Sequence, residues 1–95
     1  MPPAHRLGDI CTGHGCFPPT PSCQGSGNVF INNIPANRVG DAYIPHPCPN
    51  VPPHGGTSAA GSPNVFTNSK PQVRVGDARS CGGSAAVGSG NVIVN

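Results

Sequence analysis

His14 stands five residues after Asp9, His46 five after Asp41, and Cys81 four after Asp77. Imidazole and thiolate are ligands for borderline-soft metals, and near-equal offsets in three places put one donor on each of three equivalent loops. His54, in Pro52-Pro53-His54-Gly55-Gly56, adds a fourth donor. Three imidazoles and one thiolate have the number and softness that tetrahedral zinc takes, and iron accepts the same ligands. Cys16 and Cys48 each lie seven residues after their aspartates, in His14-Gly15-Cys16 and His46-Pro47-Cys48. They are rival ligands, or partners for each other in a disulfide. His5 sits inside a strand-like string, away from these loops, and reads as an ordinary strand residue.

The aspartates that set these offsets are the only acidic residues, and each closes a Pro-x-x-Arg-x-Gly-Asp string, at residues 3–9, 35–41 and 71–77. These strings hold six of the eight charged side chains, so the arginines and aspartates are expected to pair structurally at turns. A second string runs out of phase: Gly25-Ser26-Gly27-Asn28-Val29-Phe30-Ile31-Asn32, Gly61-Ser62-Pro63-Asn64-Val65-Phe66-Thr67-Asn68 and Gly88-Ser89-Gly90-Asn91-Val92-Ile93-Val94-Asn95. The first two copies run directly into a Pro-x-x-Arg-x-Gly-Asp string, whereas the partner of the third is at the other end of the chain, at residues 3–9. This permuted order predicts that the N-terminal segment pairs with the C-terminal one and closes a ring of three related units.

Each unit has strand-and-turn chemistry. Asn-Val-Phe-Ile-Asn is short, β-branched and aromatic between turn residues, the pattern of a strand. Asn32-Asn33 and Asn68-Ser69 lie where the chain must reverse, and asparagine tolerates the positive φ of tight hairpins. The run at residues 36–39 is expected to return as the hairpin partner. Fourteen glycines and 13 prolines in 95 residues leave no helical period. With three Phe, one Tyr and no Trp the apolar core is small, so a metal, a disulfide or a partner surface is expected to staple it. If Cys81 holds metal, Cys11, Cys16, Cys23 and Cys48 remain, an even number that allows two disulfides. The opening Met1-Pro2-Pro3-Ala4-His5 has no apolar leader, which predicts assembly in a reducing cytoplasm with thiols free at first.

Pro3-Ala4-His5-Arg6 and Pro35-Ala36-Asn37-Arg38, with Pro71-Gln72-Val73-Arg74 as a degenerate third copy, give the chain its resemblance to the PAAR-repeat proteins, which tip the spikes of contractile injection machines. The resemblance covers essentially the whole chain. It implies an all-β fold, a small cone of three pseudo-threefold related hairpin units with long Pro/Gly-rich loops, spanning residues 1–95 as one domain without an effector extension. It also implies a zinc near the apex held by His14, His46, His54 and Cys81. The function so implied is mechanical: one copy caps and sharpens a trimeric β-helical spike, on a phage tail or a type VI secretion machine, and pierces the target envelope. An adaptor that attaches effector cargo to the spike is the alternative within the same family.

Other function classes fare worse. A zinc enzyme needs an open coordination position and a general base, yet there is no glutamate and the aspartates are committed to the repeat. A nucleic-acid-binding zinc module needs a basic patch, whereas net charge is +2 with three of the four arginines inside the repeat. No run of about 18 apolar residues is present to span a membrane.

Overall fold

The repeated Arg-x-Gly-Asp string forms a tight turn in all three copies. The Asp amide donates to the Arg carbonyl at 3.0 Å in each (Asp9 to Arg6, Asp41 to Arg38, Asp77 to Arg74). The third turn position is Gly8, Gly40 or Gly76, with φ of 88°, 96° and 96°, the left-handed value of a type II turn that glycine adopts without steric cost. Each aspartate accepts from its arginine three times. In the second copy the Arg38 amide and Nε reach Asp41 Oδ2 at 2.8 and 2.9 Å, and Nη2 reaches Oδ1 at 2.9 Å. The two-pronged geometry fixes side chain and backbone together.

The computed structural model describes residues 2–48, 51–80 and 82–95, and of residues 47 and 51–54 the backbone alone. Among them there is no helix. The strands are β1 (Phe30–Ile31), β2 (Ile34–Pro35), β3 (Ala42–Cys48), β4 (Val51–Thr57), β5 (Phe66–Thr67) and β6 (Lys70–Pro71). They form three antiparallel hairpins, β1–β2, β3–β4 and β5–β6. Asn32 and Asn33 (φ 54° and 65°) and Asn68 and Ser69 (54° and 65°) make the turns of the first and third. Two consecutive positive values are the type I′ form whose twist suits a two-residue hairpin.

The third repeat is completed across the termini, as the permuted order predicts. Pro3 bridges Ile93, the Ala4 amide donates to the Val92 carbonyl at 3.0 Å, and the Val94 amide to Pro2 at 2.9 Å. The return strand is shorter than expected, however. Phe30 pairs with Pro35 and Ile31 with Ile34, and the Ala36 amide donates to the Val29 carbonyl at 3.0 Å, so the hairpin ladder runs to residue 36 and ends there. Residues 37–39 cross instead to the neighbouring units, where Asn37 and Val39 give their amides to His5 and Pro71.

This crossing closes the ring. His5 N donates to Val73 O (3.0 Å), Val73 N to Asn37 O (3.1 Å) and Asn37 N to His5 O (3.1 Å), a three-membered cycle of backbone hydrogen bonds. A second cycle encloses it: Leu7 N to Pro35 O, Val39 N to Pro71 O and Val75 N to Pro3 O, at 2.9 to 3.0 Å. Successive strand residues face opposite ways, so the triangle has two faces. On one face Ala4 and Ala36 pack with Ile31 and Val94, the main apolar cluster. On the other, His5 Nε2 meets the Tyr43 hydroxyl at 2.6 Å and Asn37 Oδ1 accepts from Ser58 Oγ at 2.7 Å. The glycines that begin the second string have no room for a side chain: a Cβ on Gly25, Gly61 or Gly88 would come within 2.9, 2.9 and 2.5 Å of the neighbouring strand.

The degenerate third tetrapeptide has a physical account. Gln72 takes the place of Ala4 and Ala36, and Thr67 takes that of Ile31 and Val94. Thr67 Oγ1 donates to Gln72 Oε1 at 2.7 Å, while Gln72 Nε2 donates to the carbonyls of His5 and Val73 at 3.2 and 3.0 Å. A satisfied polar pair thus replaces an apolar one. Gln72→Ala alone strands the buried Thr67 hydroxyl and removes a second donor from the His5 and Val73 carbonyls, which keep their backbone amides, and should cost about 2 kcal/mol. Adding Thr67→Ile should recover most of the loss. Additive losses in the double-mutant cycle, read by chemical denaturation, would contradict this pairing.

His5 also sets a pH dependence. It is fully buried, and burial holds its pKa below the ordinary 6.5, with a smaller push from Arg6, against the opposing effects of its Nδ1–H bond to Val87 O (2.7 Å) and of Asp9 and Asp77. Burial raises the Tyr43 phenol to about 12, so it stays protonated and donates to Nε2. The unfolded chain takes up a proton below pH 6.5 that folded His5 refuses, so stability is lost as pH falls through that value and unaffected above it. Melting temperature measured from about pH 7.5 down to about pH 5 should therefore fall, and His5→Asn, which copies Asn37, should flatten the fall. An unchanged slope in the variant would assign the effect to other groups.

Candidate metal centre and apolar base

Three segments meet beyond the His5 face of the triangle. The first leaves Asp9 as a narrow excursion in which Ile10 bridges Pro21 and His14 bridges Phe17. Its tip is the turn His14-Gly15-Cys16-Phe17, with Gly15 at φ 54°. The second segment, expected as a loop, is the β3–β4 hairpin. Its prolines are tolerated because they fall beyond the bonds that tie the start of β3 to residues 21–23 (Ile44 N to Pro21 O, Cys23 N to Ala42 O), and the register shifts between Tyr43 and His46 and between His46 and Cys48 absorb the missing donors. Within it His46 pairs with His54. The third segment folds back after Asp77, with Ala78 bridging Ser84 and the Arg79 amide donating to Gly83 O at 3.1 Å. It is tied to the first segment by Thr12 N to Ser84 O at 2.8 Å.

Of the expected ligands, His14 and His46 are brought together. Their ring centroids are 5.1 Å apart at 66°, and Phe17 lies 5.0 Å from each. His46 is buried and its Nδ1–H donates to Pro18 O at 2.8 Å, which directs the Nε2 lone pair away from that carbonyl. A ligating histidine is oriented by such a bond from its other nitrogen. Gly82 lies against His14: an added Cβ there would meet Cγ at 3.2 Å and Nδ1 at 3.3 Å. The chain that carries Cys81 therefore passes the same ring. Cys81 itself and the His54 side chain lie outside the described residues. Among the described residues no group of three His, Cys, Asp or Glu is poised to hold a metal. The oriented His46, the adjacent His14 and the approach of the third segment fit a borderline-soft metal in their donor chemistry.

Of the outcomes that the sequence allowed for the remaining cysteines, the structure has the pairing of the two equivalent ones. Cys16 and Cys48 are bonded to each other, with Cα atoms 5.5 Å apart, whereas Cys11 is a buried free thiol and Cys23 an exposed one. The disulfide removes Cys16 and Cys48 from the rival ligand set in this state. Equal offsets from Asp9 and Asp41 brought these two together, and Cys11 and Cys23 have no such equivalence.

One group was not singled out from sequence. Arg79 is 4% exposed, with its guanidinium 4.1 Å over the Tyr43 ring and Nη1 donating to Cys11 Sγ at 3.0 Å. Its Nε and Nη2 have no partner among the described residues. The sequence signal was arithmetic: four arginines and three aspartates leave one arginine outside the repeat. It forms a cation–π contact directly beneath the loops, where an apolar residue would have been expected.

The opposite face of the triangle ends in the three repeated strings. Phe30, Phe66 and Ile93 occupy equivalent positions and are 56%, 57% and 55% exposed. Around them runs an amide belt in which Asn32 Nδ2 donates to Asn91 Oδ1 at 2.7 Å and Asn68 Nδ2 to Asn28 Oδ1 at 2.9 Å. Three large apolar side chains at equivalent positions are thus left exposed beside polar amides.

The PAAR motif family matches residues 12–87. No curated protein matches the chain. With most of its length matched and three closed β units built on the repeated Arg-x-Gly-Asp turn, the chain belongs to the PAAR motif family, whose members are structural tips on the spikes of contractile injection machines.

Proposed function

We propose that this chain caps the blunt end of a trimeric β-helical spike as a single copy, with its apolar base against the spike and its ligand-bearing loops leading. The observation that carries this reading is the base: three equivalent positions, Phe30, Phe66 and Ile93, almost equally exposed on a closed ring of three. A threefold partner offers three identical strand ends and apolar side chains, and one pseudo-threefold chain can meet each with one of its own units. Both phage tails and type VI secretion spikes present this problem. The work is mechanical rather than catalytic, and cargo, where carried, is held by the same tip.

The mass of the complex with the trimeric spike protein tests the stoichiometry. One copy per trimer is expected, and Phe30→Asp with Phe66→Asp should abolish assembly while leaving the fold intact. One copy per spike chain would reject the cap.

In this reading His14, His46, His54 and Cys81 hold a zinc ion that cross-links the three segments at the apex, which the small core cannot do alone. Purified protein should carry about one zinc per chain. Cys81→Ser should lower zinc content and melting temperature together, and full occupancy in a His46→Ala, His54→Ala double variant would show that the ligands lie elsewhere.

A further inference from the structure

The Cys16–Cys48 bond joins two chain tips. Cys16 is the third residue of the His14-Gly15-Cys16-Phe17 turn, and Cys48 is the last residue of β3, paired with Val51 at the far end of the hairpin. The bond spans 32 residues of sequence, so it closes a long loop and removes much freedom from the open chain. It lies two residues from His14 and two from His46. The histidine-bearing turn and the histidine-bearing hairpin are thus bolted together beside their rings. Besides the disulfide, the described direct ties between them are the His46 bond to Pro18, the Thr20 hydroxyl to Ile44 O at 2.8 Å, the ring contacts and the edge bonds around residues 21–23. Cys16 is exposed and Cys48 is 6% exposed, so one sulfur is open to exchange while the other is sheltered.

We propose that Cys16 and Cys48 are a redox clamp on the apex, which holds the two histidine-bearing segments in place without metal and, where the zinc reading above holds, presets them for the ion. A small disulfide such as oxidised glutathione is the oxidant. The Cys16 thiolate attacks one of its sulfurs and releases a glutathione thiolate. The Cys48 thiolate then attacks the Cys16 sulfur of the mixed disulfide and expels the second glutathione. One disulfide is made and one consumed, and the two cysteine protons end on the two glutathione thiols. The exposed Cys16 is the attacking sulfur and the sheltered Cys48 the resolving one. A chain made under reducing conditions folds with the clamp open and locks when it meets an oxidising medium.

The test compares full-length protein in three forms: oxidised with glutathione disulfide, reduced with a phosphine, and Cys16→Ser/Cys48→Ser. After stripping with a chelator, the oxidised form should melt about 10 °C or more above the other two, and reductant should not move the double variant. Equal melting temperatures, or thiol labelling that finds Cys16 and Cys48 free after oxidation, would overturn the clamp. Zinc affinity, read by competition with a chromophoric chelator, should be about tenfold or more tighter in the oxidised form, because ordering of the loops no longer opposes binding. Tighter binding on reduction would overturn the presetting and make the two cysteines ligands. Absence of zinc binding in every form would defeat the zinc reading, and the metal-free melting comparison would still decide the clamp.

Discussion

The three-membered cycle of hydrogen bonds through His5, Val73 and Asn37 is the constraint on which the rest of the structure depends. Each of these residues gives its amide to one neighbour and its carbonyl to the other, so no strand can leave without breaking two bonds. The cycle admits only short crossing segments, which is why the return strands end at Ala4, Ala36 and Gln72 and why the chain must turn sharply at Gly8, Gly40 and Gly76. The Arg–Asp pairs follow from the same demand. Pair side chains are 12% and 1% exposed at Arg38 and Asp41, and the carboxylate binds its own turn's amide as well as the guanidinium. Buried ion pairs of this kind add little net stability, but removing one partner leaves the other charged and uncompensated, so the turn geometry is held stringently.

Such a fold replaces an apolar core with satisfied polar contacts. The apolar cluster is Ala4, Ile31, Ala36 and Val94 with Val92 beside it, too little to carry a chain of this length alone. On the other side of the triangle most buried positions are polar, among them His5, Tyr43, Asn37, Ser58 and Arg79, the first four hydrogen-bonded to one another in pairs, with Cys11 and Ala85 buried beside them. Arg79 is the exception, balanced by the Tyr43 ring and Cys11 rather than by a carboxylate. Directional contacts fix one geometry where a small apolar core would tolerate several.

What was legible in the sequence was what repeats. The charges confined to Arg-x-Gly-Asp, the left-handed turns at Asn32-Asn33 and Asn68-Ser69, and the permuted third unit all follow from local residue chemistry, and local chemistry is what a sequence exposes. The crossing of residues 37–39 was missed because it depends on the ring being closed, a non-local condition. The β3–β4 hairpin was missed because Pro45, Pro47, Pro52 and Pro53 suppress the usual strand signal, although proline is tolerated past Ile44, where the bonds of β3 to residues 21–23 end. The Gln72–Thr67 exchange is invisible until the two positions are known to touch. At the apex, offsets from the aspartates were enough to bring His14 beside His46 and Cys16 to Cys48, whereas the pairing of His46 with His54 needed the hairpin.

The two ends of the molecule treat symmetry differently, and the difference is informative. The base keeps it, since Phe30, Phe66 and Ile93 are alike in position and exposure, and only a symmetric base can sit on a symmetric trimer. The loops break it. Three identical chains on a threefold axis supply ligands in threes, which cannot complete a tetrahedron from protein alone. In the proposed reading a single chain escapes this restriction: each unit would contribute one donor in His14, His46 and Cys81, and His54 from the longer second segment would complete the set. Cys48, at the same offset from Asp41 as Cys16 from Asp9, is bonded to Cys16 and ties the first two segments without a third partner. Fusing three units into one polypeptide is what would let a threefold base and a single-point apex belong to one body.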